Sequence, residues 1–457
     1  MAEDMFRPPI NRTMRVLDRS FFQKRIPLSA VRVLDHTKIS QVRTELTRSK
    51  DILNLPRYQN IREDKSEGAA GHRCILLRPQ VNEQSHFSHF HLSDDAWPWS
   101  SKVNELQSSD LVKLVPFDLD LDYKYWQYAD IADAILPHGD GEDVPSSFQA
   151  VGHVAHLNLR EQFLPYKHII AELIVDKNTS ITTVINKIDD VGEENAFRTF
   201  RYEVLAGPND LNVEVKEQSC IFRFDYAKVY WNSRLNTEHE RMVSLFQDGE
   251  AVCDVMAGIG PFALPAGKKK VFVWANDLNP ESYRHLGQGI QLNKLQDYVK
   301  PFNEDGHKFI KDAALQLAKT DYQVASGTSP KRKASPKPAE QKTRVQPKSF
   351  SHYVMNLPAS ATDFLPNFVG LYSGEIKKHL SDPKMPMIHC YCFETKSDDN
   401  VEEGKRICEL ISKLIGYTIT PETPETTIWD VRDVAPKKRM FCASFRLPKE
   451  VALREVE

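Results

Sequence analysis

Residues 254 to 267 (DVMAGIGPFALPAG) combine an acidic side chain with two glycines at the end of an apolar run. Asp254 closes the run, and Gly258 and Gly260 follow it. Glycine adopts backbone angles that other residues resist, and it lets a ligand approach the main chain closely. A dinucleotide site would carry a third glycine near the helix start, but Pro261 and Phe262 stand there instead. The turn therefore predicts a ligand site without a pyrophosphate cradle.

Two further carboxylates follow later apolar runs. Asp277 in WANDLNP lies 23 residues after Asp254, and Asp305 in NEDG follows the next run. Asp277 is placed to accept from the two hydroxyls of a ribose, and Asp305 to accept from an exocyclic amine such as that of adenine. Each carboxylate taken alone would equally serve as a strand-end cap. The ordered set, with the glycine turn, favours S-adenosylmethionine over NAD.

The tripeptide Asn356-Leu357-Pro358 follows a fourth apolar run. Methyltransferases of planar amino or ring nitrogens carry an N-P-P-like tetrapeptide at this place. Its side-chain amide and a backbone carbonyl hold the target base beside the methyl donor. Leu357 makes the motif a relaxed one, and an ordinary strand-to-loop turn is the alternative interpretation.

The elements that must position these residues alternate between strand and helix over residues 226–457. Such alternation predicts an α/β fold with a parallel, doubly wound sheet. The predicted strands are EAVCDVMAG, KKVFVWAND, YVKPFNED, SHYVMNLP and MIHCYCFET, with a helix at PESYRHLGQGIQLNKL. TTIWDVRDVAP and RMFCASFRL predict an antiparallel pair at the C-terminal edge.

Two further regions precede this sheet, and one segment interrupts it. Residues 115–225 carry short β-branched runs, including HIIAELIVDK and SITTVINKI, which predict an α+β domain of mostly antiparallel strands. Residues 1–110 predict a small N-terminal module, in which the basic stretch 6–25 is either a weak mitochondrial presequence or a solvated arm. The proline-rich, basic segment 326–348 predicts a disordered insertion, either an RNA-attracting arm or a passive loop.

The bulk composition excludes several classes of protein. The 457 residues are too many for one core, and a net charge of −3 excludes a uniformly basic nucleic-acid coat. No apolar run approaches the roughly 18 residues that span a bilayer. Seven cysteines without a C-x-x-C pair argue against a disulfide framework and a cysteine zinc site. Cys390 and Cys392 are expected in the core, and HFSHFH (86–91) is interpreted as a solvated loop, so no metal site is predicted.

Five stretches resemble the eukaryotic and archaeal tRNA (guanine-37, ring nitrogen 1) methyltransferases, and the resemblance covers about residues 115–457 without the insertion. They are VGHVAHLNLREQFLPYKHIIAELIVDKN, FRTFRYEVLAG, FDYAKVYWNSRLNTEHERMV, DVMAGIGPFALPAGKKKVFVWANDLNP and VRDVAPKKRMFCASFRLP. The resemblance implies that the sheet is a Rossmann-like class I methyltransferase sheet. It further implies S-adenosylmethionine as donor and the guanosine 3′ to the anticodon as acceptor, in support of reading-frame maintenance. It also implies a monomer whose N-terminal module touches the outer corner of tRNA, while the middle domain and the sheet clamp the anticodon stem-loop. The expected location is the cytoplasm and nucleus, with a mitochondrial matrix pool as an open alternative.

This chemistry needs a general base, because ring nitrogen 1 of guanine carries a proton at neutral pH. Glu238 in NSRLNTEHER matches the catalytic glutamate of the family. Thr237 and Glu240 predict a capping box, which would put Glu238 in the first turn of a helix, where the helix dipole favours a carboxylate. Glu240 is the competing candidate for the base.

The resemblance also implies roles for other side chains. Arg198 in FRTF matches the arginine that contacts the target guanine, and its charge would face the 6-oxo group; a phosphate clamp is the alternative. Asn356 would orient the base, which must leave the anticodon stack at a cost of a few kcal/mol. Lys187 and Arg201 are candidates for the stem phosphates. The residues expected to contact the donor are Tyr230, Asp254, Gly258, Gly260, Asp277, Leu278, Asp305, Asn356 and Pro358.

Two other functions stay open at this point. One is the aminocarboxypropyl transfer of wybutosine synthesis, which uses the same donor on a similar sheet; the intact SRLNTEHER and FRTF stretches argue against it. The other is a non-catalytic RNA-binding subunit, which the combination of Asp254, Asp277, Glu238, Arg198 and Asn356 disfavours.

Overall fold

The computed structural model describes residues 5–64, 71–79, 99–137, 145, 147–188, 197, 201–325, 343–380 and 382–455. The chain divides into two compact units. The first comprises Met1–Ser147 and Leu159–Thr179, and the second comprises Phe148–Asn158 and Ser180–Glu457. In the described part of the chain, no helix is long and apolar enough to cross a membrane.

The first unit is built on a four-stranded antiparallel sheet. Its elements in chain order are β1 (Lys24–Val33), α1 (Ile39–Arg48), β2 (Ile61–Glu63), β3 (Arg73–Leu76), α2 (Ser101–Ser108), β4 (Val112–Leu121), α3 (Tyr128–Ile135) and α4 (Lys167–Lys177). The strand order is β2-β3-β1-β4, and β1 pairs with β4 along its whole length. Apolar side chains of α1 and α2 pack on one face of the sheet. The expected boundary of the N-terminal module at residue 110 therefore falls inside this unit, because β4 completes the sheet that β1 begins.

Helix α4 corrects one expectation from the sequence. The run HIIAELIVDK at residues 168–177 has the composition of a strand, yet it is helical. Its apolar side chains, Ile169, Ile170, Ala171, Leu173 and Ile174, are all buried. A helix that is buried on most sides has no polar stripe, so the 3.6-residue period that marks a surface helix is absent from its sequence.

The second unit begins with two small sheets. β5 (Gln149–Val151), β6 (Val154–Leu157), β7 (Thr183–Lys187) and β8 (Tyr202–Ala206) lie side by side in that order, with β6 and β7 parallel. β9 (Asn212–Glu217) and β10 (Cys220–Asp225) form an antiparallel hairpin. Antiparallel pairing dominates in this region, as the sequence predicts.

A seven-stranded sheet forms the rest of the second unit. In chain order its region contains α5 (Asn236–Leu245), β11 (Ala251–Asp254), α6 (Ala263–Lys268), β12 (Phe272–Asn276), α7 (Pro280–Leu292), β13 (Val299–Phe302), α8 (Gly306–Lys319), β14 (Gln323–Ala325), β15 (Thr343–Val345), β16 (His352–Met355), β17 (Met387–Thr395), α9 (Val401–Ile415), β18 (Thr427–Ala435), β19 (Lys438–Arg446) and α10 (Lys449–Ala452). The order is β13-β12-β11-β16-β17-β19-β18, with the first five strands parallel and the last two antiparallel. The Rossmann-like sheet and its antiparallel edge pair are thus confirmed.

Alternating side chains of this sheet enter two separate apolar layers, one on each face. Tyr353 and Cys390 belong to one layer, and Val354 and Tyr391 belong to the other. This is the alternation expected of strands covered on both faces. All seven cysteines of the chain are free and buried, so Cys390 and Cys392 do serve the core.

A row of buried polar side chains interrupts one of these layers. His352 Nδ1 lies 3.0 Å from His389 Nε2, and His389 Nδ1 lies 2.7 Å from Ser444 Oγ. Burial lowers the pKa of both histidines. The neutral rings can each donate with one nitrogen and accept with the other. The row links β16, β17 and β19.

The C-terminal end of the basic insertion is ordered, contrary to the expectation for residues 326–348. Residues 326–342 lie outside the described part of the chain, but β15 pairs with β14. Arg344 forms a bidentate ion pair with Asp248, at 2.8 and 2.7 Å, and Gln346 is buried with its carbonyl oxygen 3.3 Å from Trp274 Nε1. These specific partners order a segment whose average composition predicts disorder.

Candidate active site

The carboxyl ends of four parallel strands bring the predicted acidic and amide side chains to one edge of the sheet. Asp254 ends β11, Asp277 directly follows β12, and Asn356 directly follows β16. Asp305 lies three residues after β13. The strand order reverses between β11 and β16, with β12 and β13 on one side and β17 on the other. Ligands of open α/β sheets bind in the crevice at such a reversal.

Asp277 holds the glycine turn in place. Its Oδ2 accepts a hydrogen bond from Gly258 N–H at 2.7 Å, and its Oδ1 accepts from Asn279 N–H at 2.9 Å. Burial raises the pKa of Asp277, and hydrogen bonds from Asn279, Gly258 and Ser282 oppose that rise. The carboxylate therefore links the turn after β11 to the start of α7.

The two glycines of the turn have different surroundings. Both have positive φ angles, +57° at Gly258 and +91° at Gly260. A Cβ at Gly260 would lie 2.7 Å from Leu286 Cδ1, so close packing requires glycine there. A Cβ at Gly258 would meet no atom within 4 Å. The main chain at Gly258 is thus open for a ligand to approach.

Asp254 is an unsatisfied buried carboxyl group. It is 1% exposed, and neither carboxyl oxygen has a hydrogen-bond partner within the described residues. Burial, followed by the charge of Asp277, raises the pKa of Asp254 well above its usual range. A buried acid without a partner is costly to ionise, so a cationic ligand nearby would favour its charged form. Together with the open main chain at Gly258, this acid fits a positively charged nucleoside donor.

Asn276 ties three strand ends together and was missed by the sequence analysis. Its Nδ2 donates to the carbonyl oxygens of Val255 and Glu304, at 3.0 and 2.9 Å, and its Oδ1 accepts from Glu304 N–H at 2.8 Å. The signal was available, since Asn276 is a polar residue at the end of an apolar strand, next to the predicted site residue Asp277.

Asp305 caps helix α8. Its Oδ1 accepts from His307 N–H at 2.7 Å, and the residue is exposed. The cap uses one carboxylate oxygen. The ring of His307 stacks on Phe364 with the ring centroids 3.9 Å apart, next to this cap.

Tyr230 and Leu278 are exposed side chains on two loops that are bonded to each other. Their exposed fractions are 43% and 55%. Asn279 Nδ2 donates to the carbonyl oxygen of Lys228 at 2.9 Å, which joins the loop before α5 to the loop after β12. This bond holds the loop that carries Tyr230 to the loop that carries Leu278, and the role of both residues at the donor stays a prediction.

Glu238 lies in the first turn of α5, but the predicted capping box is wrong. Helix α5 continues from a 3₁₀ turn at Ser233–Leu235, and no side chain caps α5 at Leu235. Asn232 caps the 3₁₀ turn instead, by accepting from Arg234 N–H at 3.1 Å. Because the backbone enters α5 already helical, Thr237 and Glu240 are left as exposed surface residues.

The carboxylate of Glu238 is 4% exposed and is held by two side chains. Arg241 binds it in bidentate fashion, at 2.7 and 2.6 Å, and the Tyr391 hydroxyl donates to Oε1 at 2.6 Å. The last register pair of β16 and β17 is Met355 with Cys390, so Asn356 and Tyr391 both follow directly after it. Tyr391 therefore holds Glu238 at the same level of the sheet as Asn356.

Other predicted residues are only partly described. Arg198 lies outside the described residues. Lys187 ends β7, and Arg201 precedes β8, with its carbonyl oxygen accepting from Ile188 N–H at 3.0 Å. Asn356 is half-buried and Pro358 is buried. The three histidines of HFSHFH also lie outside the described residues.

Two known domain families match the sequence between residues 128 and 319. The TRM5/TYW2 methyltransferase domain matches residues 213–319, and the TYW2 N-terminal domain matches residues 128–210. The chain is 49% identical to the tRNA (guanine(37)-N(1))-methyltransferase of Aspergillus fumigatus, covering 99% of this chain and 96% of that protein. It is 44% identical to the protein of the same name from Schizosaccharomyces pombe, covering 96% and 95%. The chain belongs to the tRNA (guanine(37)-N(1))-methyltransferase family.

Solved structures with the same fold support this assignment at the level of architecture. Trm5b from Pyrococcus abyssi has a TM-score of 0.54 and 22% identity, covering 92% of this chain and 99% of that chain. The structure of aTrm5 in complex with tRNALeu has a TM-score of 0.55 and 18% identity, with the same coverage. The match to the methyltransferase domain begins at residue 213, so it includes the hairpin β9–β10 that was assigned to the middle domain.

Two residues around Glu238 were not identified from the sequence. Arg241 lies three positions after Glu238, a spacing at which opposite charges meet on a helix, so the pair was predictable. Tyr391 lies 153 residues away in the chain. Only the sheet brings Tyr391 to Glu238.

Proposed function

We infer that this chain transfers the methyl group of S-adenosylmethionine to ring nitrogen 1 of the guanosine at position 37 of tRNA. The near full-length identity of 49% with proteins named for that reaction carries this inference. The reaction supports reading-frame maintenance, because position 37 lies directly 3′ to the anticodon.

The residues at the carboxyl edge suit the donor. S-adenosylmethionine, when bound, supplies an electrophilic methyl group on a sulfonium centre. Asp277 retains acceptor capacity for ribose hydroxyls beyond its two main-chain bonds, since a carboxylate has about four acceptor positions. The buried acid Asp254 would be favoured in its charged form by a cationic ligand. Asp305 would accept a hydrogen bond from an exocyclic amine through the carboxylate oxygen that does not cap α8. Gly258, Gly260, Tyr230, Leu278, Asn356 and Pro358 complete the proposed set.

We propose Glu238 as the general base. Guanine must lose the proton of ring nitrogen 1 as the methyl group arrives, and a carboxylate within hydrogen-bond reach accepts it. Negative charge then develops on the 6-oxo group, and Arg198 supplies the compensating positive charge. Asn356 orients the base. The position of Glu238 at the level of Asn356 and its burial support this assignment, whereas Glu240 is exposed.

Recognition of the tRNA is proposed to use both units. The N-terminal module is the candidate for the outer corner, and the region of β5 to β10 with the large sheet is the candidate for the anticodon stem-loop. Lys187 and Arg201 would contact stem phosphates. We propose a monomer that acts in the cytoplasm and nucleus, with a mitochondrial pool as a separate question for cell fractionation.

Incubation of unmodified tRNA with the purified chain and donor tests the function. Nucleoside mass spectrometry should find one added methyl group on the guanosine at position 37, only when donor is present. The larger mass of an aminocarboxypropyl group would instead identify the wybutosine-type reaction. Donor binding without any product would identify a non-catalytic RNA-binding subunit.

A further inference from the structure

Three hydrogen bonds occupy most of the acceptor capacity of Glu238. Oε1 accepts from Tyr391 Oη at 2.6 Å and from Arg241 Nη2 at 2.6 Å. Oε2 accepts from Arg241 Nε at 2.7 Å. Each carboxylate oxygen has two acceptor positions. Within the described residues, Oε1 is therefore saturated, and one position remains on Oε2.

The groups around this carboxylate are one cation and two neutral groups, the Tyr391 hydroxyl and the Cys442 thiol. Burial acts to lower the pKa of Arg241, but hydrogen bonding to Glu238 outweighs it, so the pKa is raised. Burial raises the pKa of Tyr391 well above its usual range, and burial raises that of Cys442, on the adjacent strand β19, to about 12. Trp429 of β18 covers Arg241, whose guanidinium carbon lies 4.9 Å from the ring centroid. His389 also faces Arg241, and burial keeps it neutral. Among these described groups, Arg241 is thus the only one that carries a positive charge beside Glu238.

We propose that Arg241 and Tyr391 are positioning residues that keep Glu238 ionised and leave Oε2 as the atom that receives the guanine proton. The proposal rests on Glu238 being the base. Arg241 compensates the negative charge away from water, where an unpaired carboxylate would take up a proton. Tyr391 and the Arg241 fork together set the plane of the carboxylate. In the step itself, the bond between guanine N1 and its hydrogen breaks, and Oε2 gains the proton. N1 uses the electron pair to bond the methyl carbon, while the bond between that carbon and the donor sulfur breaks and its electrons stay on sulfur, which leaves as a neutral thioether.

A second pair on another helix provides a matched control. Glu403 and Arg406 of α9 have the same spacing, with their nearest oxygen and nitrogen 3.0 Å apart, and the Glu403 side chain is 4% exposed. Ser397 Oγ donates to Glu403 at 2.5 Å, in the role that Tyr391 has at Glu238. The Arg406 side chain is 44% exposed, against 21% for Arg241, and it also donates to Thr395 Oγ1 at 2.8 Å. A variant of Arg406 therefore reports the cost of breaking a glutamate–arginine pair of this spacing in a more exposed setting.

The test is the single-turnover rate from pH 6 to 9 for Arg241→Met, Arg241→Lys, Tyr391→Phe and Arg406→Met, each divided by the wild-type rate at the same pH. With Arg241→Met, this ratio should fall as the pH falls, because a buried carboxylate that has lost its opposite charge takes up a proton more readily. Arg241→Lys should recover part of the loss, and Tyr391→Phe should change the ratio in the same direction by less. The ratio for Arg406→Met should not depend on pH.

The results separate the positioning role from the assignment of Glu238 as the base. A ratio for Arg241→Met that is the same at every pH would overturn the proposal, because loss of structure alone lowers the rate uniformly. If Arg241→Met does not fold by circular dichroism, Tyr391→Phe decides, since it keeps the ring that stacks on Phe262 at 6.1 Å. A Glu238→Gln enzyme with a normal rate would remove the base assignment itself. Loss of rate in Glu238→Gln with pH-independent Arg241 and Tyr391 variants would reject only the positioning role.

Discussion

Two buried glutamates in the second unit have nearly the same local partners but different surroundings. Glu238 on α5 and Glu403 on α9 each bind an arginine three residues later, and each accepts from a hydroxyl group. The hydroxyl at Glu403 belongs to Ser397, six residues away, and Arg406 also donates to Thr395 Oγ1 at the end of β17, so that pair joins α9 to the segment just before it. The hydroxyl at Glu238 belongs to Tyr391 of β17, at the carboxyl edge of the parallel strands. The spacing of glutamate and arginine is therefore common to both pairs, and the element that supplies the hydroxyl distinguishes them.

The largest difference between the two glutamates is expected when each loses its ability to accept a proton. Glu238→Gln should reduce the single-turnover rate by about 10²–10⁴-fold, the usual loss of a general base. Tyr391 and Arg241 remain, so donor and tRNA affinities should stay near those of the wild type. Higher pH should restore part of the rate, because guanine then loses its proton to solvent. Glu403→Gln is the control and should leave the rate within about twofold; a comparable loss there would erase the distinction between the pairs.

A second variant separates the chemistry at Glu238 from donor binding. Asp277→Ala should weaken donor binding by about 1–3 kcal/mol, because Gly258 N–H and Asn279 N–H lose their acceptor. Calorimetric titration with S-adenosylmethionine measures the effect. Glu238→Gln, titrated in parallel, should bind donor normally. Unchanged affinity in Asp277→Ala would remove Asp277 from the donor site.

Asp254 differs from both glutamates because its buried carboxyl group has no hydrogen-bond partner within the described residues. The stability of the fold should therefore depend on pH through this group. Because its pKa in the folded protein lies above the usual 3.8, its ionisation destabilises the fold as the pH rises above that value. Asp254→Asn should therefore melt at a higher temperature than wild type at pH 7 without donor, by about 2–4 °C for each kcal/mol gained. The difference should vanish near pH 4. A variant that is less stable than wild type at pH 7 would contradict the assignment of an uncompensated acid, and donor titration of the same variant reports its role in binding.

The smallest effect on chemistry is expected from the basic insertion. Deletion of residues 326–342 removes many positive charges but leaves the strands β14 and β15, which need a short turn to join them. If the segment attracts RNA, the deletion should raise the apparent dissociation constant for tRNA and make that constant less dependent on salt. The single-turnover rate at saturating tRNA should be unchanged. A collapse of that rate would show that the insertion contributes to the active site.

The sequence was sufficient for the sheet and its carboxyl edge. Asp254, Asp277 and Asn356 end apolar runs, and parallel strands bring such ends together, so their convergence follows from the fold class. The capping box failed because the entry to α5 is set by a 3₁₀ turn that Asn232 caps. Tyr391 could not be found, since its contact with Glu238 spans 153 positions. The first unit was not predictable for the same reason, because β1 and β4 pair across a long intervening segment.

The polar row of His352, His389 and Ser444 has a consequence for how the large sheet assembles. Successive side chains of β17 point to opposite faces, so a slip of one residue would move His389 into the opposite apolar layer and away from both partners. An unpaired imidazole in that layer would carry the cost of a buried polar group without a hydrogen bond. Only one alignment of β16, β17 and β19 satisfies the row, and the same alignment sets Tyr391 level with Asn356. Misaligned sheets are thereby penalised during folding before any ligand is present.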